Sequence, residues 1–218
     1  RKTLIRPLFV IAALCSGMII ISLVSRPSME ILFLDVGQGD CCLIRTRDST
    51  VLIDGGTYDQ GSTVADVLDW YGIRQVDVAV VTHWDSDHCG GIAYLNSLGR
   101  VGKVLSPCNC PLKEEDECYV KHLTIIGPGD VINISDVASL KVLWPYSVID
   151  GKNDDSLVMV LAYEGWKCLF TGDIGSDAEN TLVNSGVIDK CDMLKVAHHG
   201  SRYSTSELFI SKVSPKTA

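Results

Sequence analysis

The sequence predicts an α/β sandwich, sheets inside and helices outside, entered through a membrane helix. Three observations carry that expectation. Two blocks of β-prone runs are each followed by helical spacing, the pattern of sheets covered by helices. Residues of metal-ligand type recur where three of the strands should end. Residues 7–24 (PLFVIAALCSGMIIISLV) carry no charge, over about the length needed to cross a hydrocarbon layer roughly 30 Å thick.

The apolar stretch comes first in the chain. Arg1, Lys2 and Arg6 crowd its N-terminal side, which by the positive-inside tendency stays cytoplasmic and sends everything after about Ser25 to the extracytoplasmic side. A signal peptide has the same basic start and apolar run, but SLVSRPS offers no clear small-x-small cleavage site. The chain begins with Arg rather than Met. It is therefore expected to be a piece of a longer protein, with residues 1–28 the last of several membrane helices and residues 29–218 a globular domain.

Along that domain, Met29 to Val36, Cys41 to Arg45 and Ser49 to Ile53 are short β-prone runs forming a meander, with GQGD between the first two and Asp54-Gly55-Gly56 closing the third. Ser62 to Tyr71 has helical spacing with Ser62 or Thr63 as cap, and Val76 to Val81 reads as a strand buried on both faces. From Val101 to Val142 the runs VGKVLS, LTIIG and LKVLW predict shorter strands. Ser156 to Tyr163 and Trp166 to Thr171 predict a hairpin over Glu164-Gly165. Asp177 to Asn184 predicts a helix, Met193 to Val196 a strand, and Ser204 to Val213 a helix capped by Ser204 or Thr205.

A net charge of -8 excludes a broadly basic nucleic-acid platform. It does not exclude phosphate binding at a metal centre, because carboxylates that hold divalent cations present positive charge to a ligand. The 9 cysteines are odd in number and scattered. Cys41, Cys168 and Cys191 lie in or beside apolar runs and read as small buried hydrophobes. Only Cys108, Cys110 and Cys118 cluster, in a polar segment where a disulfide is plausible and the spacing matches no standard zinc pattern.

The chemistry concentrates in Thr82-His83-Trp84-Asp85-Ser86-Asp87-His88, directly after the buried run Val76 to Val81. His83, Asp85, Asp87 and His88 are four potential ligands within six residues at a strand's C-terminal end, and carboxylates so close repel unless a cation neutralises them. Imidazole mixed with carboxylate suits Zn²⁺, Mn²⁺ or Fe²⁺, and the oxygen-rich set tilts the expectation toward Mn²⁺. Asp173 in Thr171-Gly172-Asp173 and the pair His198 and His199 in AHHGS end two further strands. Neighbouring strand residues face opposite ways, so only one of His198 and His199 is expected to meet a given ion. Asp35, Gln38 and Asp40 are expected to shape the cleft wall rather than to catalyse. His122 reads as structural, and Asn153, Asp155, Ser156 and Ser201 as weaker candidates for contact with substrate or metal.

In combination, LFLDVGQGD, LIDGG, THWDSDHCGG, NDDSLVMVL, FTGD and LKVAHHGSRYSTS resemble the metallo-β-lactamase-like domain of the competence DNA-internalisation channel family (ComEC type), over about residues 29–218. The resemblance implies an αββα four-layer sandwich with a cleft for one or two divalent ions, Mn or Zn, that activate water for phosphodiester hydrolysis. It implies His83 and Asp85 on one ion, Asp87 and His88 on the other, Asp173 bridging, and His198 or His199 completing the first site. Asp87 and His199 would carry catalysis, and Asp54 would orient a ligand imidazole from behind. Two departures stand out. Asp85 replaces the more usual second His, and the chain stops at Ala218, where a further strand and a late Gly-His-Pro segment are expected.

The leading expectation is an extracytoplasmic, membrane-anchored nuclease acting on single- or double-stranded DNA during uptake, partnered by the rest of a channel and by other DNA-uptake proteins. Lys195, Arg202 and Lys212 would supply cationic phosphate contacts. The alternatives are hydrolysis of another phosphodiester or ester, such as a cell-wall choline phosphate, or a non-catalytic, metal-stabilised domain that gates a channel.

Overall fold

In the computed structural model of the protein, which describes residues 10–17, 27–107, 123–147 and 153–218, two mixed sheets stack face to face. The first runs in sequence order: β1 (Met29–Phe33), β2 (Cys42–Thr46), β3 (Thr50–Ile53), β4 (Val76–Val80), β5 (Val101–Ser106) and β6 (Leu123–Ile125). Tight turns make β1 to β3 antiparallel, whereas β3 to β6 are parallel. The second sheet holds β7 (Val131–Ser135), β8 (Ala138–Trp144), β9 (Val158–Tyr163), β10 (Trp166–Phe170) and β11 (Met193–Lys195) in the order β11-β10-β9-β8-β7. Only β10 and β11 pair in parallel there.

Alternation along the strands divides the side chains between an inner and an outer layer. Ile44, Val51, Ile53 and Val80 meet Leu140, Val142, Met159, Leu161 and Phe170 between the sheets. Leu43, Leu52, Ala79 and Val81 face outward onto α1 (Gly61–Trp70) and α2 (Ser86–Ser97), through Val64, Leu68, Ile92 and Leu95. On the opposite side Val158, Leu169 and Leu194 receive Leu182 from α3 (Ser176–Ser185) and Phe209 and Val213 from α4 (Glu207–Val213). The layers are helix, sheet, sheet, helix. Each large side chain buried in them contributes roughly 1.5–3 kcal/mol of transfer free energy.

Several elements depart from the sequence expectation. Helix α2 is a new element, because Gly90 and Gly91 weaken its helical pattern. Both glycines are needed where the helix meets the loop after β3: a Cβ on Gly91 would lie 1.9 Å from the carbonyl oxygen of Gly55. Strand β7 is also new, since its VINIS run is short and flanked by turns. Helix α1 starts at Gly61 with no side-chain cap, led in by a 3₁₀ turn at Tyr58–Gln60, so neither Ser62 nor Thr63 caps it. Helix α4 is capped by Ser206, whose side chain accepts from the Phe209 amide. Ser204 is engaged elsewhere, donating to the Ala197 carbonyl, and Thr205 sits at φ +57.

Cys41, Cys42, Cys168 and Cys191 are buried free thiols. Burial, with Cys191 nearby, pushes the Cys168 thiol up to about 12. The cluster Cys108, Cys110 and Cys118 lies outside the described residues, as does His122. Residues 10–17 are helical, and the rest of the expected membrane span also lies outside the described residues. Among the described residues no helix is long and apolar enough to cross a membrane.

Candidate metal centre

Five segments converge at the edge where the two sheets open: the GQGD turn after β1, the loop after β3, the β4–α2 connection, the end of β10 and the end of β11. Asp54 ends β3 at φ 56, a left-handed conformation that an Asp tolerates better than most side chains. It is fully buried and acts as a hub. Its Oδ1 accepts from the Thr82 amide at 2.8 Å, and its Oδ2 accepts from the Thr82 hydroxyl at 2.7 Å and pairs with His88 Nδ1 at 2.9 Å.

This hub sets the state of two imidazoles. A carboxylate only accepts, so His88 carries its proton on Nδ1 and turns Nε2 into the site. The Thr82 hydroxyl has spent its proton on Asp54 and can only accept from His83 Nδ1, 3.2 Å away, so His83, unlike the doubly protonated His88, turns a bare Nε2 inward. The rings lie 4.1 Å apart between centroids. Burial, then the charge of His88, lower the pKa of His83 and keep it neutral. Burial alone lowers that of His88, but the charge of Asp54, and the charge and hydrogen bonding of Asp173 with it, more than offset this and push it up to about 10.

Asp173 follows β10 and Gly172, and its position is fixed by a serine. The Ser156 hydroxyl donates to the Asn153 carbonyl at 2.6 Å and accepts from the Asp173 amide at 3.1 Å. The hydroxyl of Ser156 is therefore used to shape the Asp173 loop. Burial tends to raise the Asp173 pKa, yet the hydrogen bond and charge of His88 hold it well below the ordinary carboxylate range. Asp173 Oδ2 lies 3.2 Å from His88 Nε2 and 3.3 Å from His199 Nε2.

The two histidines after β11 occupy a left-handed turn rather than a strand, with φ 48 at His198 and φ 51 at His199. Two consecutive non-glycine residues in that region store backbone strain of the kind found at functional sites. The turn separates them. His199 enters the cluster, with Nδ1 3.3 Å from Asp40 Oδ1 and Nε2 3.8 Å from Asp87 Oδ2. The His198 ring sits 6.1 Å from that of His199, and its amide donates to the Gly172 carbonyl at 3.1 Å.

One ligand-type atom from each of Asp40, His88, Asp173 and His199 lies within 4.8 Å of the others. Asp85 and Asp87 sit at the start of α2, where a helix N-terminus favours negative charge. Asp85 is more than half exposed, with Oδ2 3.7 Å from His83 Nε2. Ser201 belongs to the turn itself, accepting from the Tyr203 amide at 3.3 Å. Arg202 lies over the Tyr203 ring at 4.7 Å from its centroid. Lys195 Nζ contacts Asp40 Oδ2. Sequence reasoning gave Asp40 only a wall-shaping part and passed over Thr82. The signals were present in GQGD and in the Thr that opens THWDSDH, but one needs the turn folded onto α2 and the other needs Asp54 beneath it.

The residues fit a divalent cation. His83 Nε2 and Asp173 Oδ1 are buried and lack hydrogen-bond partners, and His88 Nε2, buried beside them, faces only the other Asp173 oxygen at 3.2 Å; buried polar atoms are rarely left so without an unseen ion or water. Two imidazole nitrogens and a carboxylate oxygen form a mixed donor set suited to a first-row divalent metal.

A profile of the Metallo-beta-lactamase superfamily matches residues 34–218. The chain belongs to the metallo-beta-lactamase superfamily, a family of metal-dependent hydrolases. Within the superfamily it is 31% identical over 215 residues to ComE operon protein 3 of Bacillus subtilis (strain 168), covering 87% of this chain and 28% of that protein. It is 30% identical over 200 residues to Competence protein ComA of Neisseria gonorrhoeae, covering 84% and 26%. These likenesses support a metallo-beta-lactamase domain of the ComEC type. Endoribonuclease ysh-1 of Neurospora crassa is 24% identical over 193 residues, covering 74% and 22%. The chain thus spans under a third of the length of these relatives. Among solved structures, a B3 metallo-beta-lactamase with an active-site glutamic acid superposes with a TM-score of 0.60 at 21% identity, covering 87% of both chains, a likeness of fold.

Proposed function

We propose that this chain is the hydrolase domain of a DNA-uptake channel and cleaves DNA phosphodiesters on the extracytoplasmic face of the membrane. The observation that carries the reading is the buried group of His83, His88 and Asp173, whose inward atoms are left without hydrogen-bond partners, with His199 set beside it 3.3 Å from Asp173. Its placement in DNA uptake draws on a relative named as a competence protein, and nuclease chemistry draws on another named as an endoribonuclease. The membrane anchor is the uncharged stretch at residues 7–24.

His83, His88, Asp173 and His199 would hold the metal, with Asp87 at the open side. A divalent ion bound there supplies Lewis acidity toward a phosphoryl oxygen and lowers the pKa of water. The chain's own residues prepare that site. Asp54 and Thr82 hold both Nδ1–H groups, so two Nε2 atoms arrive already aimed. Ser156 fixes the backbone of Asp173. Asp87, a quarter exposed, faces His199 at the mouth and can accept a proton from an incoming nucleophile. Arg202, exposed on the turn after His199, is placed to meet the phosphate backbone.

The test is Mn²⁺-dependent cleavage of single-stranded and double-stranded DNA by the chain, beside the double variant Asp87→Ala, His88→Ala. Cleavage lost by at least about 10³-fold in the variant is the expected result, on the scale of removing metal-site groups. Turnover of a small chromogenic phosphodiester with DNA left intact would shift the substrate to another phosphodiester, such as a cell-wall choline phosphate. Full metal binding with no hydrolysis of either would sink the enzymatic reading.

A further inference from the structure

The geometry points to Asp40 as a positioning residue: with its other oxygen held by Lys195, it fixes the His199 ring so that Nδ1–H faces the carboxylate and Nε2 faces Asp173. The inference rests on the metal-dependent reading above but concerns a residue outside the predicted ligand set.

Two histidines in the site each have a carboxylate behind Nδ1, hydrogen-bonded at His88 and at ion-pair distance at His199. His88 places Nδ1 2.9 Å from Asp54 Oδ2 and Nε2 3.2 Å from Asp173 Oδ2. His199 places Nδ1 3.3 Å from Asp40 Oδ1 and Nε2 3.3 Å from the same Asp173 oxygen. A carboxylate behind Nδ1 fixes both tautomer and ring direction, leaving the other nitrogen free for a metal. For His88 that carboxylate comes from the buried end of β3, and for His199 from the GQGD turn.

Asp40 lies close enough to the cluster to be taken for a ligand, but its oxygens are already committed. One faces His199 Nδ1 and the other faces the Lys195 ammonium. An ion seated on Asp40 would have to displace that ammonium or lie beside its like charge, which costs Coulomb energy in a half-buried setting. The turn is also rigidly placed. The Asp40 amide donates to the Asp87 carbonyl at 3.3 Å and its carbonyl accepts from Gly56 at 2.8 Å. Gly39 sits at φ +108, where a Cβ would lie 1.9 Å from the Asp87 carbonyl oxygen. Asp40 is thus locked to the first turn of α2, which carries Asp87 and His88. The same pairing distinguishes the adjacent histidines: among the ion pairs of the described residues, His199 faces three carboxylates and His198 none.

The experiment uses the full chain with Co²⁺ as probe, comparing wild type, Asp40→Asn and Lys195→Met. Asp40→Asn is expected to bind the same number of ions with the same visible-band intensity, while affinity falls about 10–100-fold, the usual effect of losing a group that orients a ligand. Nitrogen-15 spectra of the metal-free chain, recorded at alkaline pH, are expected to show His199 as the Nδ1–H tautomer in wild type and in Lys195→Met, and as a mixture in Asp40→Asn. Loss of a bound ion, or a band change typical of a lost ligand, would make Asp40 a ligand and overturn the inference. An unchanged tautomer and affinity in a folded Asp40→Asn chain would overturn it as well. If wild type binds no Co²⁺, the metal reading falls, while the metal-free spectra still decide whether Asp40 sets the ring.

Discussion

The pH dependence of metal binding offers the most direct check on the site. In the metal-free chain His88 sits between Asp54 and Asp173 with its pKa pushed up to about 10, so near neutrality both its nitrogens carry protons. A metal needs bare Nε2, so each ion bound must expel that proton. Asp173, held well below the ordinary carboxylate range, and His83, whose pKa is lowered, release none above neutral pH. One proton per ion means that apparent affinity rises tenfold per pH unit between about pH 7 and 9, or about 1.4 kcal/mol per unit. The same group stabilises the metal-free fold fully below about pH 6.5 and loses that contribution as pH rises toward about 10. The assay is Mn²⁺ titration calorimetry in buffers of different ionisation enthalpy, which counts the protons released. No proton release with a flat affinity across that window would refute the assignment of His88 as a protonated bridge. In Asp54→Asn, where burial acts on His88 without its strongest charge partner, the slope should flatten above neutral pH.

Other perturbations test the framework. Asp54→Ala strands the buried Thr82 amide and hydroxyl and His88 Nδ1 together, and should cost about 3–5 kcal/mol in urea unfolding, on the scale of breaking a buried charge network. Thr82→Val should bind metal more weakly than Thr82→Ser, because only the serine keeps the relay to His83; equal affinities by equilibrium dialysis would remove Thr82 from the design. Gly91→Ala drives a methyl group into the Gly55 carbonyl and should lower stability by about 3 kcal/mol or more, read from thermal melts followed by circular dichroism. Glu179→Ala frees two backbone amides, of Thr205 and Ser206, that its buried carboxylate binds, and should cost about 2–4 kcal/mol; a change within about 0.5 kcal/mol would show that water replaces it.

Much of the framework could be read from local pattern. The buried run of β4, the hairpin of β9 and β10, and the periodicity of α1 and α3 each sit within a residue or two of where hydrophobic spacing put them. Strand β7 and helix α2 could not be read that way. In α2 the glycines that spoil the helical pattern are there for contacts with residues thirty or more positions earlier.

The sequence by itself determined which residue types gather at three strand ends, and that so many carboxylates and imidazoles together call for a cation. That follows from charge and ligand chemistry, which travel with the residue. Tertiary structure alone decided their roles. It put His199 rather than His198 into the cluster, because a left-handed turn, not strand alternation, sets where those rings go. It turned Asp54 and Thr82 into the relay behind two imidazoles, brought Asp40 against His199 across more than 150 residues, and made Ser156 a support for Asp173. Those roles depend on hydrogen bonds between distant segments, a property that no window of sequence contains.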